Sequence, residues 1–599
     1  MDKKRSETPI IEESTAAKRQ NAEFQSRGDV KQYFGPGIFN PELADKLRDE
    51  ISNSEPYRWG HFSNLIDDTL LRNVRKEVET EIHFTKKETD IYKVHQSGDL
   101  ANLSGLDWDD LSRLPSVFKL RAALYSKEFR DLVSHVTGSG KLSGTKTDMS
   151  INTYTKGCHL LTHDDVIGSR RVSFILYLPD PDKTWKEHYG GSLRLFPKII
   201  PNVPYPDASA KFVPQFNEMA FFYVQPGLSF HEVEEVRVDK QRLSIQGWYH
   251  VPQEGEEGFI PGEQEETEAK STLKMLESKE LEEFDFPKEV RIPFSHYEMS
   301  NYEPKDVHLD DFDISQLSKF INQEYLNLEN LKQLQTKFIS ENLIELDQFL
   351  NDKYAPELRK LIRKSELEEI MPKHQKEVVY PWKISLPPHK WRYLYLDGKQ
   401  PEELSIEGVK VANSGPQETP NFQMLKQTTD HVVTLKLIEL TSFFKSVSFK
   451  KWLILLTDLT PTSDQLLARR FRPGHDFTLA TTLNDQDNTI EAILDMTLNL
   501  TPSQGWESGE FGGYELTMAT EDPGVDDDPS IYRKDGDDSV LLNTQACWNK
   551  LVLMVRDPNV LKFVKYVSFN AQGSRWDVSG QWDIKQRGEE EEDDDEEEE

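Results

Sequence analysis

At 599 residues the chain is too long for one ordinary domain and long enough for two or more sizeable cores. Its formal net charge of -33 argues against phosphate-backbone binding as its main business and suits a basic protein partner better. The 2 cysteines, Cys158 and Cys547, exclude a disulfide scaffold and fit a reducing compartment, and the absence of any apolar run of about 18 residues excludes a membrane-spanning helix.

Residues 1–28 are polar and charged, with no apolar core of a secretory signal, and are expected to be a disordered tail. Lys3-Lys4-Arg5 and Lys18-Arg19, separated by a polar spacer, resemble a bipartite nuclear import signal. Asn40-Pro41-Glu42 reads as a helix start, with a capping Asn and Pro at the first helical position. A helical region is expected from there through Leu111–Val136, with Ser126 capping Lys127–Val136. Short β-rich runs follow at Ser150–Tyr154, Arg171–Leu178, Ser192–Phe196, Glu218–Gln225, Glu232–Val238 and Arg242–Val251, separated by Gly, Pro and Asp turns. Helices followed by many short strands predict an α+β domain on an antiparallel barrel or jelly roll. Residues 253–310 read as an acidic linker, with a short helix at Lys270–Glu283. Leu317, Phe320, Ile321, Leu331, Leu334 and Phe338 recur at helical spacing and predict one or two long helices over Asp313–Lys364. Strand texture returns from Trp382, and the chain ends in an acidic tail over 586–599.

The two halves share an ordered set of motifs. Gly157, Gly190-Gly191, Asn217, Gln225-Pro226 and Arg242 recur, in order, as Gly474, Gly512-Gly513, Asn549, Asp557-Pro558 and Arg575. The expectation is therefore a fold of two tandem double-stranded β-helix (jelly-roll) domains with flanking helices, over residues 29–252 and 311–585.

The chemistry reads from the first half. In an extended segment, residues i and i+2 share a face, so His163 and Asp165 can grip one ion while Asp164 points away. His231, just after the Pro226-Gly227 turn, supplies a third ligand. Two histidines and one carboxylate form the facial set of non-heme iron(II) oxygenases, leaving positions for a 2-oxo acid and dioxygen. Arg242 follows His231 by 11 residues, enough to turn and return on the neighbouring strand. Its planar guanidinium suits the distal carboxylate of 2-oxoglutarate, and Ser244 on the same face adds a hydroxyl. Tyr154 and Tyr177 are placed on strands lining the same barrel mouth. His159 shares parity with His163 but has no carboxylate two residues on, and is read as structural. Aligned on Gly157 and Gly474, His163 falls on Ala480, Asp165 on Thr482 and His231 on Lys562 or Phe563, so the second domain is expected to be degenerate and non-catalytic.

Over residues 29–585 these ordered elements resemble the eukaryotic ribosomal prolyl hydroxylase family. The resemblance implies iron ligation by His163, Asp165 and His231, 2-oxoglutarate binding by Arg242 and Tyr177 with Tyr154 as a further contact, and ascorbate as reductant. It also implies a basic small-subunit ribosomal protein near the decoding centre as substrate, effects on translation termination and messenger RNA poly(A) length through termination and poly(A)-binding factors, and presence in nucleus and cytoplasm. Two alternatives stay open: an oxygenase that dealkylates nucleic acid, against which the acidic balance and the lack of a basic groove count, and a non-enzymatic oxygen-sensing regulator.

Overall fold

The structure, a computed structural model, describes residues 29–97, 113–271, 281, 284–302, 307–398, 403–406, 409–412, 432–481, 492–519 and 540–586. The expected basic clusters near the N-terminus and the terminal acidic run from residue 587 lie outside these residues. The chain divides into two compact units, Met1–Glu280 and Leu281–Glu599. No helix among the described residues is long and apolar enough to cross a membrane.

The first unit opens with helices at Pro41–Ser52 and Asp68–Glu81, then Pro115–Leu124 and Lys127–Thr137. Asn40 accepts a hydrogen bond from the Glu42 amide and Ser126 from the Phe129 amide, as the capping signals require. The helical region is not continuous, however. Three strands enter it: β1 (Trp59–Ser63), β2 (Thr85–Glu88) and β3 (Tyr92–Gln96). For β2 the signal is weak, because it is Thr-Lys-Lys-Glu, with three of its four residues exposed and no apolar face to betray it.

The remaining strands are β4 (Thr147–Tyr154), β5 (His159–His163), β6 (Arg170–Tyr177), β7 (Leu193–Leu195), β8 (Lys198–Ile200), β9 (Val203–Pro204), β10 (Ala210–Phe212), β11 (Glu218–Tyr223), β12 (His231–Val233) and β13 (Arg242–His250). They form a curled antiparallel sheet in the order β1-β11-β6-β13-β4-β3-β5-β12-β7-β10, with β2 added on β3; β8 and β9 pair separately. Alternation divides its two faces. Val172, Phe174 and Leu176 of β6 join the helices in one core, whereas Ile175 and Tyr177 face a second cluster with Leu193, Leu195, Ala220 and Phe222. That second face carries the candidate site.

The stretch read as a linker is ordered on both sides of the division. Glu256 accepts hydrogen bonds from Ser143 Oγ at 2.6 Å and the Gly144 amide at 2.7 Å, and the Glu263–Ala269 helix pairs Glu263 with Arg171, all within the first unit. The helix therefore ends one residue before the start expected at Lys270, and residues 272–280 lie outside the described set. In the second unit Ile292–Pro293 pairs with Ser463 and Asp464.

The second unit has three helices where one or two were expected, at Asp311–Leu317, Leu328–Glu341 and Tyr354–Glu368. Asn342, in the left-handed region at φ 53°, ends the middle one, and the chain continues as the strand Leu343–Asp347. Helices Val432–Phe444 and Val447–Thr457 interrupt the later strands. The main sheet runs Leu343–Asp347, Trp548–Arg556, Ile493–Leu500, Arg575–Gln586, Ser463–Phe471, then two short strands. In each unit Asn, at φ 63° for Asn217 and 59° for Asn549, clamps a backbone segment through its side chain. Asn217 bonds the amide and carbonyl of Ile66 at 2.9 and 2.7 Å, and Asn549 those of Leu350 at 2.7 and 2.9 Å.

Candidate active site

His163 ends β5 and His231 begins β12, and the two are direct partners in the antiparallel register. Each ring is oriented by a backbone carbonyl: His163 Nδ1 donates to Leu161 O at 2.8 Å and His231 Nδ1 to Ser229 O at 2.8 Å. With Nδ1 carrying the proton, Nε2 of each ring presents its lone pair. Asp165 meets both, with Oδ1 3.2 Å from His163 Nε2 and Oδ2 3.5 Å from His231 Nε2. The ligand atoms of His163, Asp165 and His231 all lie within 4.8 Å of one another, a grouping that could hold a metal ion.

The route by which Asp165 arrives differs from the alternation argument. The strand stops at His163, and Asp165 adopts φ 62°, in the left-handed region. A turn therefore brings the carboxylate to the histidines, which Asp tolerates better than most residues. Asp164 pins that turn: its Oδ1 accepts from the Val166 amide and its Oδ2 from the Gly227 amide, each at 3.3 Å, and its carbonyl accepts from Ser229 Oγ at 2.8 Å. The residue expected only to point away thus ties the His163–Asp165 segment to the turn that delivers His231. Beneath the pair, buried Glu232 accepts from Thr162 Oγ1 at 2.8 Å and is ion-paired to Arg194.

Trp248, buried on β13, donates from Nε1 to Asp165 Oδ2 at 3.1 Å. Arg170 covers its ring at 3.6 Å. Nothing local in the sequence marks this contact, because the partners are 83 positions apart.

Arg242, fully buried, leaves from a strand that lies between β4 and β6, not beside the His231 strand as expected. Curling of the sheet, rather than a simple return, brings it to the site. Its Nε donates to Gly191 O at 2.6 Å and its Nη1 to Ser244 Oγ at 3.3 Å. This seat requires the Gly190-Gly191 pair: a Cβ on Gly190 would fall 1.9 Å from Glu235 O, and one on Gly191 would fall 2.8 Å from Arg242 Cδ. Tyr154 and Tyr177 flank the guanidinium at 4.9 and 5.0 Å from the ring centres. Arg242 Nη2 and the Tyr177 hydroxyl are buried without a hydrogen-bond partner. Two orphaned donors side by side match a bound carboxylate. The arginine, both tyrosines and Ser244 are thus brought together as expected, while His159 is buried with its Nδ1 held by Gly157 O at 3.0 Å.

Burial sets the protonation of this site. It pushes the Tyr177 hydroxyl up to about 12 against the pull of Arg242, and raises Tyr154 further, so both stay neutral donors. Burial and the neighbouring His163 push His231 down to about 4. At His163 the hydrogen bond and charge of Asp165 outweigh burial and raise it. Asp165 is buried too, yet the two histidines hold it well below the usual carboxylate range.

In the second unit, Lys562 bridges Thr481, so the residue across from it is Thr481 rather than Ala480, and residue 482 lies outside the described set. Arg575 stands opposite Phe471, as Arg242 stands opposite Tyr154.

Residues 149–250 match the model of the 2OG-Fe(II) oxygenase superfamily, and residues 312–591 match that of the oxoglutarate and iron-dependent oxygenase degradation C-terminal domain. The class is an iron(II)- and 2-oxoglutarate-dependent oxygenase, which uses dioxygen as its second cosubstrate. The prolyl 3,4-dihydroxylase OGFOD1 of Ostreococcus tauri is 34% identical over 549 residues, covering 90% of this chain and 98% of that protein. The prolyl 3-hydroxylase sudestada1 of Drosophila melanogaster is 25% identical over 530 residues, covering 86% and 81%. This chain belongs to the OGFOD1 family of prolyl hydroxylases. Among solved structures, a Pseudomonas putida prolyl-4-hydroxylase covers 35% of this chain and 98% of its own at 20% identity and TM-score 0.25. A Trichoplax adhaerens prolyl hydroxylase covers 38% and 92% at 16% identity and TM-score 0.27.

Proposed function

We propose that the chain hydroxylates a proline of a basic small-subunit ribosomal protein near the decoding centre, with His163, Asp165 and His231 as iron ligands. The observation that carries this reading is the likeness along 98% of a prolyl dihydroxylase combined with the buried His-Asp-His grouping. The net charge of -33 favours a strongly basic substrate by long-range steering. On the same reading, translation termination and poly(A) length respond to the modification, ascorbate serves as reductant, and the protein works in nucleus and cytoplasm.

When bound at the triad, iron(II) with 2-oxoglutarate supplies the oxidising chemistry that turns dioxygen on a proline ring carbon. The chain's own residues do the rest. Leu161 O and Ser229 O hold the imidazoles with Nε2 inward, and Trp248 fixes the Asp165 carboxylate. Arg242 and the Tyr177 hydroxyl receive the distal carboxylate of 2-oxoglutarate, with Tyr154 packed against the guanidinium and Ser244 steadying it. Apolar Ile175, Leu193, Leu195 and Phe222 line the same face and exclude water.

The second unit is read as a degenerate, non-catalytic β-helix copy. Supporting this are the matching strand order, the paired Asn217 and Asn549 clamps, and Lys562 across from Thr481 where His231 faces His163.

The test is to incubate a recombinant basic ribosomal protein with wild-type and His163→Ala enzyme, Fe(II) and 2-oxoglutarate, and to map the peptides by mass. The expected result is one added oxygen on a single proline, absent with the variant. No modified proline, together with repair of a methylated oligonucleotide, would replace this reading with nucleic-acid dealkylation.

A further inference from the structure

The curled sheet of the first unit ends at β1 on one side and β10 on the other, and among the described residues no strand pairing joins the two. Side chains close this seam instead. The Phe212 ring of β10 lies 6.4 Å from that of Trp59 and 5.0 Å from that of His61, both on β1. Phe212 also stacks on Tyr177, with ring centres 5.7 Å apart and planes inclined by 23°. Tyr177 in turn meets the Arg242 guanidinium at 5.0 Å. One run of contacts therefore leads from exposed His61, through half-buried Phe212 and fully buried Tyr177, to the buried cation.

The rest of the packing around Tyr177 leaves its plane undetermined. Leu193, Leu195 and Ala220 of the same cluster surround it with aliphatic groups, which offer no flat face, and Phe212 supplies one. The backbone of β10 is held independently of that ring. Ala210, Lys211 and Phe212 are in register with Leu195, Arg194 and Leu193 of β7. Alternation sends Lys211 to the opposite face from Phe212, where its Nζ lies 3.2 Å from Glu187 and 3.3 Å from Glu234. A change of side chain at 212 thus removes the stack and leaves the strand anchored.

We infer that Phe212 is a positioning residue for the cosubstrate: its stack on Tyr177 holds the phenol hydroxyl beside Arg242 Nη2, so that both donors meet one carboxylate. The inference rests on the reading of Arg242 and Tyr177 as the seat of the distal carboxylate of 2-oxoglutarate. Both donors are buried without a hydrogen-bond partner, and a phenol free to tilt would have to be ordered again at each binding event. Phe212 acts only through Tyr177, and the contacts of Trp59 and His61 keep its own ring in place.

The experiment uses the full chain loaded with Mn(II) under nitrogen, with 2-oxoglutarate and oxalate titrated calorimetrically. Oxalate offers a metal its adjacent oxygens but has no distal carboxylate. Phe212→Leu should weaken 2-oxoglutarate about threefold to tenfold and leave oxalate and Mn(II) affinity unchanged. Phe212→Tyr, which keeps the ring, should match the wild type. Tyr177→Phe should weaken 2-oxoglutarate about tenfold or more, and in that background Phe212→Leu should add less than about twofold. Near-UV circular dichroism verifies folding, and if Phe212→Leu is unfolded, Phe212→Met decides by the same criteria. Unchanged 2-oxoglutarate affinity in the folded variant, an equal loss for oxalate, an equal loss in Phe212→Tyr, or a full further loss in the Tyr177→Phe background would overturn the inference. Wild-type affinity in Tyr177→Phe would overturn it together with the reading of the cosubstrate seat. A weakened Tyr177→Phe beside an unchanged Phe212→Leu would overturn the inference alone.

Discussion

Replacing Trp248 with Phe removes one N–H from the site and little else. The indole donates to Asp165 Oδ2 at 3.1 Å inside the protein, and Arg170 lies over the ring at 3.6 Å, a contact that a phenyl ring preserves. A hydrogen bond to a charged acceptor contributes about 1.5–3 kcal/mol. Without it the carboxylate oxygen has no fixed donor at this position, and Asp165 can rotate away from Nε2 of His163 and His231. The expected loss in Fe(II) or Mn(II) affinity is therefore about 10- to 100-fold. Metal titration followed by electron paramagnetic resonance of Mn(II) reads this directly, independently of turnover. A purely structural role for Trp248 would lower the unfolding temperature and leave the metal dissociation constant alone. If Trp248→Phe binds metal within about threefold of wild type while remaining folded, the positioning argument fails.

Other outcomes follow from the same geometry. Arg242→Gln leaves the triad intact but removes the cation facing the orphaned Tyr177 hydroxyl. It should cost about 2–5 kcal/mol of 2-oxoglutarate binding, raising KM about 30-fold or more at unchanged metal affinity; an unchanged KM would remove Arg242 from the cosubstrate site. The His163→Ala, His231→Ala double variant should hold no stoichiometric iron, because Lys562 and Thr481 occupy the paired positions of the second unit. One iron per chain in metal analysis of that variant would contradict the assignment of the second unit. Burial pushes His250 of the first unit and His389 of the second down to about 3, from an unfolded value of 6.5. Below pH 6.5 the unfolded chain binds the extra proton first, so stability is full above that pH and falls steadily towards pH 3. At pH 5 each histidine should cost its unit about 2 kcal/mol, measurable by urea unfolding at pH 7 and pH 5. Equal stability at the two pH values would show that neither ring is held neutral.

Residue types and their separations were enough to assemble the site in outline. Tyr154, Tyr177 and Arg242 lie on strands that were read from the sequence and His231 opens one read from the next residue, whereas the strand that His163 ends, His159–His163, was not among the expected runs. What escaped was set by long-range geometry. Period-2 reasoning presumes extended backbone, and Asp165 leaves it. Arg242 reaches the site through the curl of the sheet, which no local pattern encodes. Trp248 is an ordinary strand aromatic until its partner 83 positions away is known. The exposed Thr-Lys-Lys-Glu strand has no apolar face to detect. In the second half a one-residue slip separates Ala480 from Thr481, because glycine-anchored counting cannot see a change in strand register.

The left-handed backbone of Asp165 has a consequence for which residues can ever stand there. The site asks for a negative charge on a short stem, and the turn asks for a residue that tolerates positive φ. Asparagine satisfies the backbone but carries no charge, glutamate carries the charge on a longer stem at a conformation it disfavours, and glycine brings no ligand at all. Aspartate alone among the twenty answers both demands, so selection at this position is set as much by one torsion angle as by the chemistry of the metal.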